Sequence, residues 1–151
     1  MLSRADQAHL NMQQARELRA AGVAYRVIAR HLALTSSQLR LIRKALSRSK
    51  AAQSRLHAAD PHATSHALPI SRSVLPSGLR QRLKEAGYRT LGDIAQSLDD
   101  PGFPGLEALR GIGPHRAKMV RDLLAHFNLL AGPDDLRARV EAIFPDLEDP
   151  R

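Results

Sequence analysis

Residues 24–48 read AYRVIARHLALTSSQLRLIRKALSR, and their apolar pattern decides the fold that we expect for the first half of the chain. Apolar side chains recur at intervals of three and four residues on both sides of a short break, as they do along one face of a helix. The break is the run from Ala33 to Thr35, and Thr35 or Ser36 can cap the second helix. The stretch therefore predicts two helices joined by a very short turn.

A further helix is predicted ahead of this pair, from Ser3 toward Ala21. Ser3 has a carboxylate three residues on, at Asp6, as an N-terminal cap of the capping-box type does. Gly22 stands where a glycine usually ends a helix. We therefore expect a three-helix unit over residues 1–48.

The run ARELRAAGVAYRVIARHLALTSSQLRLI carries a family resemblance. It has a helix, then a glycine, then the Ile28–Ala29 pair, then a leucine followed by an isoleucine three residues later in the second helix. In these features residues 11–48 resemble the helix-turn-helix of Hin-type recombinase and resolvase DNA-binding domains. The glycine that the family has at the turn is Ala33 here, a change that costs little if φ stays negative at that residue.

The resemblance implies that the helix from Ser36 lies in a DNA major groove. The residues expected near base edges are Ser36, Ser37, Gln38 and Arg40. The residues expected near phosphates are Arg26, Arg30, Arg43 and Lys44.

The alternative is a three-helix unit with a merely solvated basic face. An ordinary solvated face mixes both signs of charge, whereas no acid occurs between Glu17 and Asp60.

Charge is divided unevenly along the chain. The formal net charge of the 151 residues is +8. Residues 1–72 hold 12 Lys and Arg against 3 Asp and Glu, whereas residues 73–151 hold 11 against 12. A strongly basic half favours a polyanionic partner, and nucleic acid is the usual one. We therefore expect double-stranded DNA to be the partner of the first half.

Composition argues against several other classes of function. Cysteine is absent, which excludes disulfides, thiolate nucleophiles and cysteine-bound zinc. No motif groups Ser, His and Asp, and the carboxylates are not clustered as in a nuclease, so we expect no enzyme activity, no metal and no cofactor.

No apolar run approaches a membrane span, and residues 1–10 lack the apolar stretch of a signal peptide. The expected location is the cytoplasm, in association with the nucleoid, with no membrane partner.

Residues 49–73 lose helical periodicity and are rich in Ser, Ala and His, which predicts a flexible linker. Three histidines, His57, His62 and His66, fall in or beside its centre. Without cysteine or glutamate in the stretch, a solvated linker explains them better than a metal site does.

Helical periodicity returns in residues 74–130, for which we expect a second small helical domain. Pro76 suits the first turn of one helix, Gly87 its end, and Thr90 the cap of the next. A longer helix is predicted from Pro114 to about Phe127.

Residues 106–120, LEALRGIGPHRAKMV, match the helix-hairpin-helix pattern. Two glycines allow a sharp bend, and Ile112 anchors that bend in the core. The N–H groups of the bend and the N-terminus of the next helix then form an anion site suited to a DNA phosphate. The residues expected there are Gly111, Ile112, Gly113, His115, Arg116 and Lys118.

Residues 74–129 also resemble the C-terminal domain of the bacterial RNA polymerase alpha subunit. The LKEAGYRTLGDI and LEALRGIG segments carry this resemblance. Two positions depart from it, because Gly78 replaces the family's principal minor-groove arginine and His115 replaces a lysine. Arg80 or Arg82 can reach the same side. The alternative for this half is a protein-docking surface.

Residues 131–151 form an acidic tail in which Leu136, Val140 and Ile143 fall on one face of a predicted helix. This tail can fold back on the preceding domain or meet a partner.

The sequence thus predicts an all-α protein in which two small helical domains, 1–48 and 74–130, are joined by a linker over 49–73 and followed by a tail over 131–151. The expected function is sequence-specific DNA binding by a transcriptional regulator of a bacterium or mobile element, with RNA polymerase as a second expected partner. The alternatives are an architectural or recombination accessory protein and a polymerase-docking factor. A lone helix-turn-helix usually gains specificity by dimerising or by adding a second reader, so a homodimer is also open.

Overall fold

The computed structural model describes residues 3–130, and the regular secondary structure of this part of the chain is helical. Residues 3–130 contain no strand, and one isolated β-type bridge joins Pro69 to Thr90. The α-helices are α1 (Arg4–Ala20), α2 (Tyr25–His31), α3 (Ser36–Ala59), α4 (Ser77–Glu85), α5 (Leu91–Asp99) and α6 (Pro114–His126). Short 3₁₀ turns lie at Ser65–Ala67, Ile70–Arg72 and Leu106–Ala108. The prediction of an all-α fold is confirmed for these residues, and the predicted tail over 131–151 lies outside them.

Side-chain caps fix where three of the helices begin. The hydroxyl of Ser3 accepts from the backbone N–H of Asp6 at the start of α1. Thr35, and not Ser36, caps α3 and forms a reciprocal capping box with Gln38. Thr90 and Asp93 form the same box at the start of α5. These caps satisfy backbone donors that would otherwise lack partners at a helix N-terminus.

The turn between α2 and α3 has a strained residue. Ala33 has φ +53°, so the condition under which the change from glycine costs little is not met. The left-handed conformation closes α2, with the N–H of Leu34 donating to the carbonyl of Ala29 at 2.8 Å. Closing a helix in this way ordinarily uses glycine, because a Cβ is unfavourable at positive φ.

Two clusters of buried side chains form the cores. A small one is built from Ala15 of α1, Ile28 of α2 and Ile42 of α3. A larger one collects Leu79, Leu91 and Val120 with the other apolar residues of the second half. Ala52 of α3 belongs to this larger core, so α3 contributes to both clusters.

The predicted flexible linker over 49–73 differs from the structure. α3 continues through the first part of it to Ala59. In the last part, Leu68 and Ile70 are only 5% and 2% exposed, and both belong to the larger core. The N–H of Ile70 donates to the carbonyl of Arg89, and the N–H of Leu91 donates to the carbonyl of Leu68. Periodicity is lost here because short 3₁₀ turns bury single apolar residues without repeating, which a helix pattern does not detect.

Candidate nucleic-acid interface

Helices α2 and α3 present a surface of exposed cations, which we call the basic face. Its members are Arg26, Arg30, Arg40, Arg43 and Lys44. Within residues 3–130, none of them forms an ion pair. Their positive charge is therefore not neutralised by the part of the protein that the structure describes.

Three of the predicted base-reading residues share one side of α3. Successive residues of an α-helix turn by about 100°, so Ser36, Ser37 and Arg40 fall within about 100° of one another. All three are exposed, as is Lys44, one helical turn beyond Arg40. The opposite side of α3 carries Ile42 into the small core. This outer side of α3 is therefore exposed to solvent.

Gln38, predicted to read bases with them, lies apart from this group. It stands about 160° around the helix from Arg40 by the same geometry. Its side-chain oxygen accepts from the backbone N–H of Thr35 at 2.8 Å as part of the cap. A glutamine that reads adenine needs both its oxygen and its nitrogen. Gln38 therefore has only its amide donor left for a ligand while the cap is intact.

Arg43 is held in place by an aromatic ring. Its guanidinium carbon lies 4.9 Å from the ring centre of Tyr25, and that of Arg19 lies 4.5 Å from the same centre. Such contacts restrict a flexible side chain without neutralising its charge. Tyr25 was not among the predicted site residues, although an aromatic residue beside Arg26 in a basic stretch is a usable signal.

The Gly-Ile-Gly bend precedes α6. Gly111 has φ +81°, Ile112 is 3% exposed within the larger core, and Gly113 has φ −88°. The left-handed residue of the bend is therefore Gly111, and Gly113 has an ordinary extended backbone. Gly113 occupies the cap position of α6 without a side-chain cap, and Pro114 follows at the first turn. The N-terminus of α6 thus has backbone donors that no side chain satisfies.

The three side chains predicted to surround this bend differ in their surroundings. His115 Nδ1 lies 2.7 Å from a carboxylate oxygen of Asp6, and Lys118 Nζ lies 2.8 Å from Asp122. Arg116 instead donates to the backbone carbonyl of Gly111 at 2.9 Å, so its charge is not paired. Of the three, Arg116 is the residue best placed to donate to an anion at the bend.

Asp122 joins α1 to α6. The same carboxylate oxygen accepts from Lys118 and lies 2.8 Å from Nε2 of His9 in α1. Burial acts to raise the pKa of Asp122, but the hydrogen bonds from Lys118 and His9 outweigh burial and lower it. The Asp6–His115 contact runs between the same two helices. Two acid–histidine contacts therefore hold α1 against α6.

A groove of about 660 Å³ lies between α1, α3, the start of α4 and α6. Gln38 and Lys44 line it from α3, and His115 and Arg116 line it from α6. Residues predicted for two separate sites therefore border one cavity. Ser36, Ser37 and Arg40, on the outer side of α3, are not among its lining residues.

Two arginines at this groove were not predicted as site residues. Arg48 donates twice to the carbonyl of Ser73, at 3.0 and 2.8 Å. Arg80, which was expected only to reach the minor-groove side, donates to the carbonyls of Leu75 and Ser71. Burial, and then the charges of Arg80 and Arg72, lower the pKa of Arg48. The sequence could not indicate this cluster, because folding of the expected linker brings it together.

Other kinds of site receive no support from residues 3–130. No group of three or more His, Asp or Glu in this range could hold a metal ion. None of its helices is long and apolar enough to cross a membrane. No protein-family model, curated protein or solved structure matches the chain. The function is therefore inferred from the chain's own residues.

Proposed function

We propose that the protein is a sequence-specific DNA-binding regulator of transcription whose reading element is the N-terminal half of α3. The observation that carries the proposal is the basic face, a set of exposed cations on α2 and α3 without a carboxylate partner in residues 3–130. A surface of one sign on a short helix pair favours a polyanion, because an ordinary solvated surface interleaves both signs.

The roles proposed for individual residues follow from their positions. Arg40 stands on the outer side of α3, and an arginine there can bind the edge of a guanine through two hydrogen bonds. Ser36 and Ser37 flank it at the helix N-terminus. Arg26 and Arg30, one turn apart on α2, and Lys44 on α3 contact phosphates on either side. Tyr25 holds the Arg43 guanidinium in position for the same purpose.

The bend before α6 supplies a second contact to the DNA backbone. The N-terminus of α6 lacks a side-chain cap, and the unpaired guanidinium of Arg116 lies beside it. Backbone donors and a helix dipole attract a phosphate at such a position. This contact adds affinity without sequence preference, which suits a protein with a single reading helix.

The test is selection of preferred sites from a random pool, followed by titration of variants on the selected site and on random DNA. Arg40→Ala should weaken binding to the selected site by about 1 to 3 kcal/mol and binding to random DNA much less. Lys44→Ala should weaken both alike and reduce the dependence on salt by about one phosphate contact.

Arg55→Ala is the matched control, because it removes a cation from the same helix about 22 Å further along. It should change neither affinity appreciably. Equal losses on both DNAs for Arg40→Ala would exclude base reading by α3, and absence of any binding would exclude the proposal itself.

A second candidate function is docking on RNA polymerase through the second half. The observation that favours it is that Asp6 and Asp122 already pair with His115 and Lys118, which leaves less charge for a phosphate. Retention of the polymerase alpha subunit by the protein in the absence of DNA would support docking. Loss of that retention on digestion of residual DNA would contradict it.

A further inference from the structure

We propose that the acidic tail, residues 131–151, docks in the groove between α1, α3 and α6 and covers part of the DNA-binding surface. The tail lies outside the described residues, and the groove is open within them. The docking itself does not depend on the proposed function. Only its consequence for DNA binding does.

Charge is the first argument for this occupant. The groove is lined by five cations and by no Asp or Glu, namely Arg16, Lys44, Arg48, Arg80 and Arg116. Three of these arginines donate only to backbone carbonyls in the described residues, so their charges are not paired. The tail carries six acids against three arginines. This excess of acids complements the cations of the groove.

Apolar surface is the second argument. The groove floor includes Leu75, Met119 and Leu123, and Leu41 at its edge is 65% exposed. A single exposed leucine is common on protein surfaces, but beside the apolar floor of the groove Leu41 extends the apolar surface that an occupant would bury. Six acids alone would not cover this surface, whereas the predicted stripe of Leu136, Val140 and Ile143 would.

A buried donor is consistent with the same occupant. The Nε atom of Arg16 is buried at the groove and has no hydrogen-bond partner among residues 3–130. A buried donor without an acceptor is unfavourable, and a carboxylate in the groove would supply the missing acceptor.

The chain can reach the groove. Met119, which lines it, lies about 10 Å back along α6 from His126. The residues between Leu130 and Leu136 span up to about 20 Å when extended. The tail can therefore turn back beside α6 without unfolding any described helix.

A docked tail competes with DNA, on the assumption that the proposed function holds. Lys44 and Arg116 are proposed phosphate contacts and line the groove as well. A tail docked in about nine molecules of ten would lower the apparent DNA affinity about tenfold. The tail then acts as an internal carboxylate competitor for these phosphate contacts.

The test uses the full chain with ¹³C-methyl methionine. Two of its three methionines, Met12 and Met119, line the groove, and Met1 is the internal reference. Val140→Asp with Ile143→Asp removes the apolar stripe and should shift the signals of Met12 and Met119. Ala138→Asp with Ala142→Asp adds the same charge on the opposite side of the predicted helix and should leave them in place.

Each outcome decides the question. If Val140→Asp with Ile143→Asp, the stripe variant, leaves the signals of Met12 and Met119 unchanged, the tail does not occupy the groove and the proposal fails. If the wild-type signals move with protein concentration, the occupant belongs to a second copy and docking within one chain is excluded. If the shifts occur as expected but DNA affinity does not rise about tenfold in the stripe variant, docking stands and the assumed overlap with the DNA surface fails.

Discussion

Substitution of each glycine in the Gly-Ile-Gly bend should separate folding from binding. Gly111 has φ +81°, and a Cβ built there would lie 2.7 Å from Nε of Arg82. Gly113 has φ −88°, and a Cβ built there meets nothing within 4 Å. The same change, glycine to alanine, is therefore strained at one position and accommodated at the other.

For Gly111→Ala, the left-handed conformation costs about 1 to 2 kcal/mol. The new methyl group also displaces Arg82 from its 3.3 Å contact with Glu85, an exposed pair worth less than about 1 kcal/mol. Alanine also reduces the conformational freedom of the unfolded chain, which raises the free energy of unfolding by about 0.4 to 1 kcal/mol. The net expectation is a loss of about 1 kcal/mol of unfolding free energy.

For Gly113→Ala, neither left-handed strain nor a clash applies. The reduced freedom of the unfolded chain stabilises the variant by about 0.4 to 1 kcal/mol, and the weaker preference of alanine for the N-cap position offsets a similar amount. Its methyl group projects into the space where we propose that a phosphate meets the N-terminus of α6. Loss of one charged hydrogen bond there would weaken DNA binding by about tenfold. Gly113→Ala should thus be about as stable as wild type and bind DNA less well.

Urea unfolding followed by circular dichroism measures the first quantity, and DNA titration at low salt measures the second. With ordinary urea dependence, the unfolding midpoints of the two variants should differ by about 0.5 M. A Gly113→Ala protein that binds DNA as wild type does would refute a backbone contact at the bend. A Gly113→Ala protein that loses as much stability as Gly111→Ala would refute the conformational reasoning.

Three further predictions concern stability. Ala33→Gly should raise the unfolding free energy by up to about 1 kcal/mol, because it removes left-handed strain at φ +53°, and an unchanged or lower urea midpoint would contradict this. Ile70→Ala should lower it by about 2 to 5 kcal/mol, whereas a flexible linker would show no loss in the same measurement. The folded pKa of Asp122 is below its usual value of 3.8, so its contribution to stability is present above pH 3.8 and should be lost as the pH falls below 3.8 through the lowered folded pKa. Asp122→Asn should reduce this loss of stability at acid pH, as measured by acid titrations followed by circular dichroism. An acid-induced loss equal to that of wild type would contradict a contribution from Asp122.

The sequence predicts the helices better than their arrangement. Capping residues and apolar intervals indicate the starts of α1, α3 and α5, because both signals are local in the chain. The conformation of Ala33 is not predictable in this way, because the residue type argues for negative φ and only the packing of α2 against α3 overrides it.

The candidate site is predictable in part for the same reason. The cations of the basic face can be identified from the run without acids, which is a local feature. The separation of Gln38 from Arg40 is also local, because residues two apart stand about 160° apart on any α-helix. The position of Arg48 beside Ser73 instead depends on how the 24 residues between them fold. Contacts across such distances carry no signal in a single sequence.

The sharing of α3 between two cores has a consequence for how the protein can change over generations. Ile42 and Ala52 sit in different cores on one uninterrupted helix, ten positions apart. One inserted residue between them would rotate one core against the other by about 100° and move it by about 1.5 Å. Loops ordinarily absorb insertions and deletions, but here this segment has a fixed length. Divergence in this region must therefore proceed by substitution, and homologues should keep the spacing between these two positions even where little else in their sequences agrees.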